Sequence, residues 1–254
     1  MPGDYSVLAP IYDEIGLSAF VEKMTPTIID YAQRIDWLGR RIVILGCGTG
    51  KSISYLSHYP YNITGVDNSN EMLEVARRSM DVQGLSLKFL QMDIREITNQ
   101  ISTADLVLAL NVMNDMSSLR DLETIFSSAN RILDAGKLFV FDMITVQGLT
   151  EKGLIDSEII HDDPKRLTVF MTNSYDYERQ LNNSQYVIFR HINGVWERSE
   201  ARQVLRAFPI QAVASLLQRN GFSIRTIMNP DMDVYEPGVS NASRVIFFAE
   251  KPNT

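Results

Sequence analysis

The stretch RIVILGCGTG, residues 41–50, decides the fold. Its first half is an apolar, β-branched run that ends in three alternating glycines, and such a run is typical of a buried parallel strand. Residues 51–59 then show the pattern of a helix. Glycines let the backbone approach a ligand closely, and the start of a helix presents unpaired N–H groups. Because ligands of open α/β sheets bind beyond the carboxyl ends of the strands, this loop is a candidate nucleotide-binding loop.

The glycine loop allows three other interpretations. A tight turn without a ligand is disfavoured against a binding loop, because three glycines in five residues lie between a strand and a helix. A dinucleotide site needs the spacing G-x-G-x-x-G, whereas this loop has G-x-G-x-G and no glycine at the expected third place. Residues 46–50 also lack the Walker A spacing, although Gly50-Lys51-Ser52 is similar to its end.

Acidic residues end the next two predicted strands. Asp67 follows residues 61–66, about 20 positions after Gly46, where a carboxylate can accept hydrogen bonds from both hydroxyls of an adenosine ribose. It is also placed to cap the following turn, and the two roles are compatible. Asp93 follows residues 85–92 and can accept from an adenine amino group, with Ile94 packing on the ring.

The order of predicted elements indicates an α/β fold. Helices are predicted at residues 70–80, with Ser69 as N-cap, and at 119–133, and strands at 104–110 and 137–143. A helix at 209–220 and an antiparallel pair at 222–228 and 244–250 complete the pattern. We expect a doubly wound, Rossmann-like, seven-stranded and mostly parallel sheet.

Between these parts, residues 166–177, 184–192 and 195–208 alternate like long antiparallel strands. Asn182-Asn183 and Asn193-Gly194 are the expected turns. We therefore assign residues 148–207 to an inserted antiparallel β cap and residues 1–147 and 208–254 to the ligand-binding sheet domain.

Composition narrows the function classes. A net charge of −7 argues against nucleic acid as the main partner. No apolar run approaches the roughly 20 residues that span a bilayer, and the N-terminus has no basic signal region, so we expect no membrane partner and a cytoplasmic protein. The single cysteine, Cys47, excludes an internal disulfide and fits a reducing compartment. No cluster has convincing metal spacing, and no metal is predicted.

These motifs resemble the class I S-adenosylmethionine-dependent methyltransferases over nearly the whole chain. The similarity lies in residues 46–50, in 65–69 with Met72-Leu73, in Asp93, in residues 105–116 and in the turn at 133–137. The resemblance implies that S-adenosylmethionine is the cofactor and S-adenosylhomocysteine the product. The cofactor-binding residues that it implies are Tyr12, Gly46, Cys47, Gly48, Thr49, Gly50, Asp67, Asn68, Met72, Asp93, Ile94 and Leu110.

A narrower similarity lies at the N-terminus. Residues 5–13 resemble the Y-x-x-x-A-x-x-Y-D signature of small-molecule methyltransferases, a group that includes amino-sugar N,N-dimethyltransferases and resembles glycine N-methyltransferases. Arg206-Ala207-Phe208 resembles the end of their inserted sheet. This implies an N-terminal helix that closes over the cofactor, with Tyr12 and, less strongly, Tyr5 near the methionine end. Asn114, just beyond the fourth strand, is the expected substrate contact, and Tyr12 and Asn114 are the candidate catalytic residues.

Two positions depart from the family pattern. Ile44 stands where an acid usually precedes the loop, and Asn114-Asp115 replaces the usual Asn-Tyr. We expect transfer of a methyl group to a small molecule, with nitrogen favoured over oxygen. A cofactor-binding protein without turnover and, more remotely, a nicotinamide oxidoreductase stay open, as does a homodimer through the inserted hairpins. His58, His161 and His191 are interpreted as structural or surface residues, and no general base is assigned.

Overall fold

A computed structural model describes residues 3–80, 86–101 and 103–253. The helices are α1 (Tyr5–Leu8), α2 (Ala19–Arg34), α3 (Lys51–Leu56), α4 (Asn70–Arg78), α5 (Leu119–Ile132), α6 (Val146–Gly153) and α7 (Ile210–Arg219). The strands are β1 (Arg41–Leu45), β2 (Asn62–Asp67), β3 (Leu87–Gln91), β4 (Ala104–Ala109), β5 (Leu133–Ile144), β6 (Ser157–Asp163), β7 (Leu167–Asp176), β8 (Leu181–Ile192), β9 (Val195–Arg206), β10 (Ser223–Met228) and β11 (Arg244–Glu250). Within the described ranges, no helix has both the length and the apolar character needed to cross a bilayer.

Seven strands form the main sheet in the order β10-β11-β5-β4-β1-β2-β3. Pairings are parallel from β3 through β5, whereas β11 runs antiparallel to both β5 and β10. The expected doubly wound sheet with an antiparallel edge pair is confirmed. Leu85, the first residue of the expected third strand, lies outside the described residues. Helix α5 ends at Ile132 and β5 begins at Leu133, so the helix end expected at residue 133 is one residue late and the strand start expected at residue 137 is four residues late.

The main sheet is buried on both faces, as its continuous apolar strands require. On one face, α5 and α7 pack against β4 and β5, and Phe126 of α5 contacts Phe139 and Phe141 of the sheet. On the other face, α2 and α3 pack against β1, with Ile28 and Ile53 fully buried. Ser69 caps α4 as expected, since its Oγ accepts a hydrogen bond from the Met72 backbone N–H at 3.2 Å.

Four antiparallel strands form the second sheet, in the order β6-β7-β8-β9. The hairpin at Asn193-Gly194 is confirmed, because both residues have positive φ, 51° and 86°, as a two-residue type I′ turn requires. The turn expected at Asn182-Asn183 is wrong: both residues lie inside β8, opposite Leu205 and Val204. Residues 177–180 make the turn instead. Tertiary pairing overrides the turn preference of asparagine, and Asn182 is fully buried.

Three elements had no counterpart in the sequence-based expectation. Helix α2 precedes the main sheet, and α6 and β6 precede the strands that were expected in the insertion. Thr145 starts α6, since its Oγ1 accepts from the Gly148 backbone N–H at 3.1 Å. Strand β6 has the sequence SEIIHDD and is mostly exposed, so it shows neither an apolar run nor clear alternation.

The N-terminal segment packs on the second sheet. Leu8, Ile11 and Ile15 join one buried cluster with Val169 and Tyr186. Asp4 fixes the start of this segment, because its backbone N–H donates to the Arg202 carbonyl at 2.7 Å. Residues 3–17 therefore link the two sheets.

Candidate active site

A large cavity opens at the carboxyl ends of β1, β2 and β4, beneath the N-terminal segment. Its empty volume is about 1190 Å³, counting its mouth. Of the expected cofactor-binding residues, eleven line it: Tyr12, Gly46, Cys47, Gly48, Thr49, Asp67, Asn68, Met72, Asp93, Ile94 and Leu110. The carboxyl edge of the parallel strands thus gathers residues that are far apart in sequence.

Each glycine of the loop has positive φ, at 60°, 53° and 85° for Gly46, Gly48 and Gly50. A Cβ on Gly48 would meet no protein atom within 4 Å, so the loop turns this residue toward open cavity space. A Cβ on Gly46 would lie 2.5 Å from Val112 Cγ2. Gly50 does not line the cavity; it precedes α3, and a Cβ there would collide with Met80 Cε at 2.5 Å. Its cofactor contact stays a prediction, and the structure shows Gly50 packed against α4 and Met80.

Asp67 anchors the glycine loop from the neighbouring strand. Its carboxylate accepts hydrogen bonds from the Gly48 backbone N–H at 2.8 Å and from the Ser69 backbone N–H at 2.9 Å. Burial raises the pKa of Asp67, and these backbone donors partly offset that rise. A carboxylate has about four acceptor positions, so it retains capacity for further donors in the cavity.

Asp93 and Arg95 form a charged rim of the cavity, just after β3. Arg95 Nε donates to Asp93 Oδ1 at 2.9 Å, and the guanidinium lowers the pKa of the Asp93 carboxyl. Arg95 also pairs with Asp121 at 3.1 Å. The Asp93 carboxylate therefore already pairs with Arg95 before a ligand binds, and the sequence did not indicate this partner.

A carboxylate contacts the glycine loop, although it does not come from position 44, where the family usually has an acid and this chain has Ile44. Asp13, from the N-terminal segment, accepts a hydrogen bond from Thr49 Oγ1 at 2.7 Å. Its other oxygen lies 3.5 Å from Lys51 Nζ, which also approaches Glu22 at 3.5 Å. These contacts hold the N-terminal segment against the start of α3.

Two tyrosines and an aspartate form the inner wall of the cavity. The Tyr5 hydroxyl donates to both carboxylate oxygens of Asp115, at 2.7 and 2.9 Å, and accepts from Gln203 Nε2 at 2.9 Å. The Tyr12 ring lies 6.3 Å from the Tyr5 ring. Burial raises the pKa of Asp115 to about 7, and hydrogen bonding from Tyr5 acts against that rise. Asp115 comes from the short 3₁₀ turn after β4, so the insertion, the N-terminus and the main sheet meet here.

Asn114 lies beside this wall with its side chain engaged by the backbone. Its Nδ2 donates to the Ile144 and Arg206 carbonyls at 3.0 and 2.8 Å, and its Oδ1 accepts from the Ile144 N–H at 2.8 Å. These are three of the four hydrogen bonds that a carboxamide ordinarily makes. Asn114 lines a smaller adjoining cavity, and its contacts make it a link between β5 and β9.

The histidines lie apart from the large cavity. His58 follows α3 and is exposed, His161 pairs with Glu14 at 3.1 Å, and the His191 ring lies 5.3 Å from the Trp196 ring. Several cavity residues were not expected from the sequence, chiefly Ser18, Lys51, Arg95, Asn111, Asp115 and Asp121. Lys51 and Asp121 lie in the first turns of α3 and α5, and Arg95 and Asp115 lie in short 3₁₀ turns after β3 and β4.

The cavity residues fit S-adenosylmethionine. The open space over Gly48 admits a ligand against the backbone, and Asp67 offers a carboxylate one strand away. Ile94 and Met72 supply apolar walls for a flat ring. The fold and the lining of this site are those expected of a class I S-adenosylmethionine-dependent methyltransferase.

Comparison with known proteins supports this class. The family described as Methyltransferase domain matches residues 42–136. The chain is 26% identical over 252 residues to YqeM of Bacillus subtilis (strain 168), a protein named as a methyltransferase, and 98% of each chain is covered. A shorter stretch of 75 residues, 30% of this chain and 29% of the relative, is 33% identical to a ubiquinone biosynthesis O-methyltransferase of Methylocella silvestris.

Solved structures share the fold. An S-adenosylmethionine-dependent methyltransferase from Clostridium acetobutylicum superposes with a TM-score of 0.82 at 20% identity, covering 98% of this chain and 99% of that one. The sugar N-methyltransferase KedS8 from Streptoalloteichus has a TM-score of 0.67 at 17% identity, with 87% and 83% covered. The shared fold, the Methyltransferase domain match and the full-length relative together support an S-adenosylmethionine-dependent methyltransferase enzyme.

Proposed function

We propose that this enzyme methylates a small molecule and prefers a nitrogen acceptor. The observation that carries the proposal is Asp115, a carboxylate on the inner wall of the cavity, whose two oxygens share the bifurcated hydrogen bond of the Tyr5 hydroxyl. Most aliphatic amines are protonated near pH 7, and a carboxylate favours binding of the resulting ammonium. An alcohol acceptor gains no such attraction.

The cofactor, when bound, supplies a methyl group that its sulfonium has already activated. The chain's own tasks are therefore alignment and exclusion of water. We assign cofactor binding to Gly46, Cys47, Gly48, Thr49 and Asp67, with Asn68, Met72, Asp93, Ile94 and Leu110 as the remaining contacts. The N-terminal segment closes the cavity through the bond from Thr49 to Asp13. In this proposal, residues 3–17 and the inserted β cap, residues 148–207, together cover the cavity.

Asp115 is placed to remove the proton of an amine acceptor. An ammonium nitrogen has no free lone pair, so it must lose a proton before it can react. A base is most effective when its pKa is near the working pH, and burial raises the pKa of Asp115 to about 7. The carboxylate can therefore both attract the ammonium and accept its proton.

The expected catalytic residues divide into two roles. Tyr12 lines the cavity beside Asp115, where a phenol can contact the acceptor. Asn114 instead bonds to the backbone of Ile144 and Arg206, and we assign it a positioning role. It fixes the 3₁₀ turn that carries Asp115 against β5 and β9.

Similar proteins differ in the acceptor atom. KedS8 is named as a sugar N-methyltransferase and has the same fold. The ubiquinone biosynthesis enzyme is named as an O-methyltransferase, and its match covers a smaller part of the chain. The preference for nitrogen therefore depends mainly on Asp115.

Methyl transfer to matched acceptors tests the proposal. The protein is incubated with S-adenosylmethionine labelled in its methyl group and with pairs of small molecules that differ only in an amine or a hydroxyl. We expect labelled product from amines, identified by mass spectrometry. Products methylated only on oxygen or carbon would contradict the nitrogen preference, and the Asp115→Asn variant should lose the amine preference while still binding S-adenosylhomocysteine.

A further inference from the structure

A second cavity adjoins the cofactor cavity, and the two share Tyr12 and Asn111 in their walls. Its empty volume is about 460 Å³, counting its mouth. The walls come from β5, β9, β11 and α6, so the inserted sheet closes one side and the main sheet the other. A molecule that reaches from one cavity into the other would pass Tyr12 near Asp115.

Two basic side chains line the second cavity. Arg244 of β11 is held in place: its Nη1 donates to Asp142 Oδ2 at 2.6 Å and also to Asn111 Oδ1. Its guanidinium lies 3.8 Å from the centre of the Phe20 ring. Asp142 is only 1% exposed, so this pair is largely removed from water. Arginine has five N–H donors, and these contacts leave some of them for a ligand.

Lys152 of α6 is the second cation. Within the described ranges, its ammonium makes no ion pair with a carboxylate. Burial lowers the pKa of Lys152, and the nearby charge of Arg244 lowers it further. The charges of Asp115 and Glu158 act in the opposite direction. Asp142 already balances Arg244, so the Lys152 charge has no close counter-ion.

We propose that the second cavity is an oxyanion subsite, in which Lys152 and Arg244 bind a carboxylate or phosphate group of the methyl acceptor. The inference rests on the proposed function, because it defines the acceptor of the same reaction. An oxyanion here would supply the counter-ion that Lys152 lacks, and such charge-assisted hydrogen bonds are the strong ones in proteins. The adjoining wall carries Asp115, so the acceptor would bear an amine near one cavity and an anion in the other.

Anion binding to the product complex tests this subsite without any methyl transfer. The protein is saturated with S-adenosylhomocysteine and titrated calorimetrically with benzoate, inorganic phosphate and benzamide. Benzamide has the shape of benzoate without its charge. We expect at least one of the two anions to bind, benzamide to bind roughly tenfold or more weakly than benzoate, and Lys152→Gln to weaken anion binding roughly ten- to hundredfold.

Two further variants control for general charge effects. Lys165→Gln removes an exposed lysine from the turn between β6 and β7 and should leave anion affinity unchanged. Lys152→Arg keeps the charge and should retain most of the affinity. The subsite would be overturned if neither anion binds at millimolar concentration or if Lys152→Gln leaves the anion affinity unchanged. It would also be overturned if benzoate binds no more tightly than benzamide while phosphate does not bind. A failure to bind S-adenosylhomocysteine would instead count against the proposed function, so the two outcomes are separable.

Discussion

Replacing Asp67 by asparagine tests the cofactor site with the smallest change of shape. The carboxylate accepts from the Gly48 and Ser69 backbone N–H groups and has capacity left for the ribose hydroxyls. A carboxamide has one acceptor oxygen, so its amino group would face one of these N–H donors. Hydrogen bonds to charged groups contribute about 1.5–3 kcal/mol each, and we expect a net loss of about 2–4 kcal/mol in cofactor binding.

That loss corresponds to a roughly 30- to 700-fold weaker affinity, since about 1.4 kcal/mol is tenfold. Calorimetric titration with S-adenosylhomocysteine measures it, and circular dichroism checks that the variant is folded. Glu74→Gln is the matched control, because it removes one negative charge from the exposed face of α4, where Glu74 pairs with Arg78 at 3.0 Å. If Asp67→Asn binds the product as tightly as the control variant, Asp67 does not hold the ribose and the reasoning is refuted.

Three further predictions follow from individual contacts. The kcat/KM for an amine should rise with pH through an apparent pKa near 7, because Asp115 must be deprotonated to accept a proton. Asp115→Asn should abolish this rise and lower the rate roughly 10²–10⁴-fold. If the rise is unchanged in the variant, another group titrates. Gly46→Ala should lower the free energy of unfolding, measured in urea, by about 2–4 kcal/mol, because Gly46 has a positive φ and an added Cβ would collide with Val112. Gly16→Ala is the control and should lose only about 1–2 kcal/mol, because Gly16 has a positive φ but a Cβ there would meet no atom within 4 Å. Equal losses in the two variants would exclude the collision with Val112. Asp105 accepts hydrogen bonds from the backbone N–H and the guanidinium of Arg41, and these bonds lower the pKa of its carboxyl in the folded protein. The charged carboxylate therefore stabilises the fold fully above its unfolded pKa of about 4, and this stabilisation is lost as the pH falls through the folded pKa. Asp105→Asn should therefore cost about 2–3 kcal/mol of unfolding free energy at pH 7 and progressively less as the pH falls from about 4 towards the folded pKa, and a gap independent of pH would contradict this assignment.

The main sheet could be predicted from sequence because each of its signals is local. The run at β1 is apolar and β-branched, and its glycines mark the turn before α3. Asp67 and Asp93 stand at strand ends, and parallel strands bring their carboxyl ends to one edge whatever the loop lengths. The cofactor cavity therefore followed from residue types and their order.

The inner wall of the cavity could not be predicted in this way. Tyr5 and Asp115 are 110 residues apart, and their contact depends on how the N-terminal segment lies across two sheets. Asn114 was expected to face a substrate from its place after β4. The turn after β4 instead directs its side chain to backbone groups of β5 and β9.

The insertion shows where local preference fails. Asparagine favours turns, yet Asn182 is buried in β8 because its ladder partners on both sides outweigh that preference. The real turn precedes it and contains Gln180, a non-glycine residue with a φ of 55°. Neither glycine nor proline marks that position.

A crystal structure of the protein with S-adenosylhomocysteine shows directly where the cofactor binds. We expect the nucleoside in the large cavity, with its ribose hydroxyls within hydrogen-bond distance of the Asp67 carboxylate and its amino-acid end against the backbone of Gly46–Gly48. Density for the ligand at any other place, or a ribose that Asp67 does not contact, would contradict it.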